Sequence, residues 1–68
     1  MSDHVYKTVE VTGSSTESVD DAIAGAIDKA SQTLRNLEWF EVIGVRGHIA
    51  EGRIGHFQVT TKIGFRLE

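Results

Sequence analysis

Trp39-Phe40-Glu41-Val42-Ile43-Gly44-Val45 is the stretch on which the fold turns. Upstream of it, apolar residues recur at helical spacing. From Glu38 onward they recur at every second position, the period of a half-buried strand. The stretch also holds the only tryptophan among the 68 residues. Residues 38–49 read as one long strand and 54–67 as another, joined through Ala50-Glu51-Gly52-Arg53, a hairpin connection that contains glycine. The second of these strands alternates most cleanly. Phe57, Val59, Thr61, Ile63, Phe65 and Leu67 fall on one face, and His56, Gln58, Thr60, Lys62 and Arg66 on the other.

A register follows if Ala50 faces Arg53. Phe40 then opposes Ile63 and Val42 opposes Thr61, building an inner face for a helix to cover. The outer face pairs Trp39 with Gly64, Glu41 with Lys62, Ile43 with Thr60 and Val45 with Gln58. Gly64 leaves space over the indole, and Glu41 with Lys62 reads as a cross-strand ion pair. Trp39, Ile43, Val45 and Ile49 form an apolar stripe on the side away from the helix. Such a stripe needs a partner, and it predicts self-association.

The helix lies just upstream. Val19, Ala22, Ile23, Ala26, Ile27, Ala30, Leu34 and Leu37 make one apolar stripe, with Asp28, Lys29, Gln32, Thr33 and Arg35 on the other face. Ser18 is the expected N-cap, with Asp21 completing a box-like arrangement and Asp20 and Asp21 suiting the positive end of the dipole. Asn36 tolerates a left-handed conformation and is expected to end the helix, which is placed at 18–36. Its alanines allow close approach to a sheet. Residues 4–12 form the first strand, with Val5, Val9 and Val11 on one side, interrupted by Lys7, and Tyr6, Thr8, Glu10 and Thr12 on the other. Gly13-Ser14-Ser15 is expected to break it. The element order is therefore β-α-β-β, an α+β class, in a single domain over 1–68.

A domain this small buries only about 60% of the surface its unfolded chain exposes, and it commonly needs a staple or a partner. Cysteine is absent, so disulfides, thiolate zinc sites and cysteine nucleophiles are excluded. Seven basic against ten acidic residues give a formal charge of −3, which argues against a nucleic-acid binder. No run reaches the roughly 18 apolar residues of a membrane helix, and Met-Ser-Asp-His lacks the features of a signal peptide. A cytoplasmic protein without membrane or nucleic-acid partners is expected.

Two side chains on the inferred outer face bear chemistry. Trp39 is either a core or interface residue or a stacking platform for a planar ring. Gln58 carries two donors and an acceptor, which suit a heterocycle edge with carbonyl and N–H groups. The sequence resembles the dodecins, small flavin-binding proteins of bacteria and archaea. The resemblance runs through Tyr6-Lys7, Val9-Glu10, Thr12-Gly13-Ser14-Ser15, Ser18, Asp21-Ala22-Ile23, Leu34, Leu37 and Trp39-Phe40-Glu41-Val42. It continues through Arg46-Gly47, Phe57-Gln58-Val59 and Gly64-Phe65.

The resemblance implies a three-stranded antiparallel sheet of order 1-3-2 wrapped around the helix, and a hollow homododecamer. It implies flavins stacked in pairs between symmetry-related Trp39 rings, with Gln58 on the pyrimidine edge. FMN is the foremost cofactor, with riboflavin, FAD or lumichrome as variants of the same ring, and coenzyme A is a further candidate partner. Arg46 matches an arginine near the ligand phosphate. A regular ladder turns it away from Trp39, so a bulge near Gly44 or Gly47 is needed; otherwise it is a surface arginine. His48 stands where other members carry a carboxylate. Arg66 reads first as a solvated cation and otherwise as a contact for phosphate-bearing ligands on an outer surface, while His4 and His56 are read as surface residues. Flavin storage without catalysis is the leading expectation. A small flavin-dependent oxidoreductase and a structural assembly subunit are the alternatives, the former lacking any glycine-rich dinucleotide turn.

Overall fold

The structure, a computed structural model, describes residues 3–67. Four elements follow in order: β1 (Tyr6–Ser15), α1 (Val19–Ser31), β2 (Leu37–Ala50) and β3 (Arg53–Arg66). The strands form one antiparallel sheet of order β1-β3-β2, the expected β-α-β-β architecture. The hairpin closes at Ala50 and Arg53. Glu51 and Gly52 both take positive φ, 54° and 75°, the two left-handed positions that let a two-residue turn match the twist of its strands.

The inner face of β3 is the centre of the core. Val59, Thr61 and Ile63 are fully buried there, beneath Ala22, Ala26 and Ala30 of α1. Thr61 satisfies its hydroxyl by donating to the Val11 carbonyl at 3.1 Å, so its burial leaves no unpaired polar group. α1 packs over β1 and β3. The expectation that it also covers the inner face of β2 fails, and Phe40 and Val42 remain exposed.

Three local expectations are corrected. Gly13-Ser14-Ser15 does not break β1 but continues it, pairing with Val59, Gln58 and Phe57. Gly13 is there for closeness rather than flexibility, since any Cβ on it would run into the Ala22 carbonyl of α1. The helix ends at Ser31 rather than Asn36. The Ala30 carbonyl accepts from both Thr33 and Leu34 at 3.2 and 2.9 Å, a tightening that closes the last turn. Asn36 is left-handed as anticipated, with φ 61°, but it marks the entry to β2. The cap is also shared differently. Ser18 accepts from the Asp21 N–H at 3.0 Å, while the Asp21 carboxylate takes its bond from the Ser15 hydroxyl at 2.7 Å. Ser15 in turn accepts from the N–H groups of Glu17 and Ser18 at 2.9 and 3.3 Å.

The sheet outruns the helix. The hairpin beyond β1 projects as an arm, giving extents of 56 × 20 × 14 Å and a radius of gyration of 14.2 Å, where a compact chain of this length has about 11 Å. Along the arm Val45, Ile49 and Ile54 are 55%, 75% and 66% exposed. Apolar surface on this scale calls for a partner.

Ser15 ties the end of β1 to the start of α1 through one donated and two accepted bonds, the full capacity of a hydroxyl. Ser15→Ala is expected to lower stability by about 1–3 kcal/mol, read as a shift in the denaturant midpoint. Ser14→Ala, one residue earlier and exposed, is the matched control.

Candidate functional site

The outer face of the sheet carries the candidate residues in one line. Trp39 lies opposite Gly64 as expected, and a Cβ on Gly64 would enter the indole, striking its Cε2 and Cζ2. The ring therefore lies flat on the Gly64 backbone. Its far side is open, and the residue is 42% exposed. An indole seated on backbone with its other face free is a platform held in a fixed orientation. The crevice beside it, lined by Ile27, Leu37, Phe40 and Ile63 on the helix side, has a volume of about 140 Å³. This is smaller than the roughly 300 Å³ at which ligand clefts begin. One protomer supplies a surface for a flat ring, not an enclosure.

Beyond Trp39 the face runs through a charged row, Glu10, Lys62 and Glu41, which the register sets side by side. Next comes a hydroxyl pair, Thr12 and Thr60, bonded at 2.9 Å. The regular ladder then fails. Register slips between Val42 and Gly44, leaving Ile43 as the extra residue of a bulge. The expected pairs Ile43–Thr60 and Val45–Gln58 are therefore wrong. Gly44 faces Thr60, Val45 faces the buried Val59, and Arg46 faces Gln58. Val45, and with it Ile49, leave the outer stripe for the inner side of the arm.

The same slip delivers Arg46 to the outer face, as a bulge near Gly44 requires. Its Nε donates to Gln58 Oε1 at 3.0 Å, and Gln58 Nε2 lies 3.4 Å from His56 Nε2. His56 faces His48 across the strands, and their rings stack with centroids 5.4 Å apart. The far end of the outer face is thus a polar cluster of Arg46, Gln58, His56 and His48. His56 and Gln58 share a face as expected, but the place of His48 beside them escaped sequence reasoning, because a regular ladder sends His48 inward.

Trp39 and Gln58 share a face, but the structure does not bring them together within a protomer. Gly64 and Gln58 are six positions apart on β3, about 20 Å at strand rise. A tricyclic ring on Trp39 cannot reach Gln58 of the same chain. Arg66, opposite Tyr6 at the Trp39 end, is far from Arg46. Among the described residues there is no group of three or more metal-ligating side chains, and no helix is long and apolar enough to cross a membrane.

Comparison with known proteins agrees with this architecture. The Dodecin family model matches residues 5–68. A dodecin of Thermus thermophilus is 48% identical over 64 residues, covering 94% of this chain and 93% of the relative. Among solved structures, a dodecin from Streptomyces davaonensis superposes with a TM-score of 0.93 at 54% identity, covering 98% of each chain. One from Streptomyces coelicolor gives 0.94 at 54% identity, covering 100% of this chain and 97% of its own.

The seat of Trp39 can be read directly, since it is the only tryptophan. Gly64→Ala is expected to lift the indole from the sheet and shift its emission to longer wavelength, with greater quenching by acrylamide. Lys29→Ala, on the exposed side of α1, is expected to leave both unchanged.

Proposed function

The chain belongs to the dodecin family, and from that premise we propose that it stores flavin rather than using it in turnover. In this reading isoalloxazine rings stack on Trp39, whose open face over Gly64 is the observation that carries the proposal. Two copies, facing each other, close the stack from both sides. Burial of aromatic faces supplies most of the affinity.

Gln58 reads the pyrimidine edge, where it offers amide N–H groups to carbonyl oxygens and its own oxygen to a ring N–H. The separation of about 20 Å along β3 requires that Trp39 and Gln58 at one ring come from different subunits. Ring binding is thereby coupled to assembly, in agreement with a homododecamer. Arg46 orients the Gln58 amide through its Nε bond and leaves the rest of the guanidinium free for a phosphate of FMN or FAD. Riboflavin and lumichrome share the stacked ring and need no such cation.

Storage follows from how the ring is held. Indole in van der Waals contact with an excited flavin transfers an electron to it and quenches its fluorescence and photochemistry. A ring covered on both faces also offers no approach for a substrate. The exposed Val45, Ile49 and Ile54 of the arm support an assembled shell, because a lone protomer would leave them in water.

Titrating riboflavin or FMN into flavin-free protein tests the reading. Native protein is expected to quench flavin emission at a fixed stoichiometry. Trp39→Ala should abolish quenching in a still-assembled particle, and Gln58→Ala should weaken binding by about tenfold, the loss of roughly one well-made hydrogen bond. Undiminished quenching in Trp39→Ala would sink the proposal. Unchanged affinity in Gln58→Ala would favour an assembly role with incidental ligand binding.

A further inference from the structure

The Gln58 amide has a neighbour at each end. Arg46 stands opposite it on β2, and His56 precedes it by two residues on β3. Arginine only donates, so the amide oxygen must face Arg46 Nε, as it does at 3.0 Å. The amide nitrogen then faces His56 Nε2, 3.4 Å away. That contact is long for a hydrogen bond, and its importance lies in polarity rather than strength. Turning the amide over would set its N–H groups against the Arg46 N–H, donor to donor, and lose the shorter bond.

His56 completes that arrangement in one form only. A neutral ring with its proton on Nδ1 has a lone pair on Nε2 and accepts from Gln58; a ring with a proton on Nε2 opposes it. The ring is itself held in place. It stacks on His48, with centroids 5.4 Å apart and 21° between planes. Gly55 leaves His48 its room, since a Cβ there would touch His48 Cδ2 at 3.3 Å. His56 also borders a cleft lined by Ser14, Thr16, Glu17 and Asp21, surroundings rich in acceptors for a proton on Nδ1.

From this geometry we propose that His56, neutral and protonated on Nδ1, is a positioning residue that fixes the order in which Gln58 presents its acceptor and donor to a ring. Arg46 takes one lone pair of the amide oxygen and His56 one amide N–H, so one lone pair and one N–H remain for a ligand. Their order is set: acceptor on the Arg46 side, donor on the His56 side. A cyclic imide, whose ring N–H is flanked by carbonyls, meets that order with its N–H toward Arg46 and one carbonyl toward His56. With a donor in place of the His56 lone pair, the amide is caught between two donors and neither orientation satisfies both. This rests on the reading that Gln58 contacts the flavin edge, and it adds the residue that decides which way the amide faces.

Nitrogen NMR of the histidine rings in flavin-free native protein, at about pH 8 and so above the ordinary imidazole range, reads the tautomer. His56 is expected to carry its proton on Nδ1; a proton on Nε2 would overturn the assignment, and this holds even if a variant fails to assemble. Titration of riboflavin, which has the ring without the phosphate, then measures the effect on affinity through quenching of its emission. His56→Ala should weaken binding by about threefold, and His56→Lys, a donor only, by at least about tenfold. His56→Glu, an acceptor only at this pH, should restore affinity to within about twofold of native. His56→Ala combined with Gln58→Ala should bind no more weakly than Gln58→Ala alone, because members of one network are not additive. A further loss in that double variant, or equal affinities for the Lys and Glu variants, overturns the role of His56. Native affinity in Gln58→Ala overturns instead the reading of Gln58 on which that role rests.

Discussion

A 13-residue helix is asked to cover strands of 14 residues. At helical rise it is about 20 Å long, whereas each strand runs about 46 Å. Everything distinctive about the protomer follows from that mismatch. Where helix and sheet overlap they are pressed together, with alanines on one side and Gly13 on the other, so that the Ala22 carbonyl sits where a Cβ would be. Where they do not overlap, the sheet continues as an arm with bare apolar residues on its inner side. The chain exposes 5073 Å², against about 4,250 Å² for a compact protein of its mass. Its fold is completed by other copies, not by more of itself.

The outer face makes a different use of the same length. An aromatic platform stands near the base of the hairpin and a hydrogen-bonded polar cluster toward the tip, with the charged and hydroxyl rows between them. Because β3 is the central strand, its spacing fixes the distance between the two ends as rigidly as any element here can. A small molecule that needs both must find them on different chains. For a molecule of that kind, recognition and assembly are one requirement.

Most of this architecture was legible in the sequence. Period-two alternation in β3 gave the core face, and the pairing of Phe40 with Ile63 and Trp39 with Gly64 followed from the turn. Other features depended on information outside local pattern. The helix stripe continued through Leu34 and Leu37, yet α1 stopped at Ser31 because the chain had to turn back toward the sheet. Gly13-Ser14-Ser15 had the composition of a loop; only the nearness of α1 explains a glycine there inside a strand. The largest error came from a single residue. Ile43 looks like any β-branched strand position, and nothing in its side chain announces a bulge. Once it is passed, every later assignment of face on β2 reverses, which is why Val45 was misplaced and the two histidines were not seen as neighbours. The resemblance to dodecins had raised the need for a bulge through Arg46, but its location came from hydrogen bonding between strands.

That bulge has a counterpart. Register slips again between His48 and Ile49, where Gly55 is the extra residue, on β3 rather than β2. Between Trp39 and the tip, one insertion in each strand keeps the two runs equal, so the chain can still close through the two-residue turn at Glu51 and Gly52; a further slip between Leu37 and Trp39 leaves Glu38 extra at the base of the hairpin. Removing Ile43 and Gly55 together would leave every other cross-strand pair of the hairpin intact. What the two residues contribute is therefore not pairing but curvature, since each bulge bends and twists its strand. They are the joints of the arm. The direction in which the tip meets another copy is set by that curvature, and it rests on one isoleucine and one glycine.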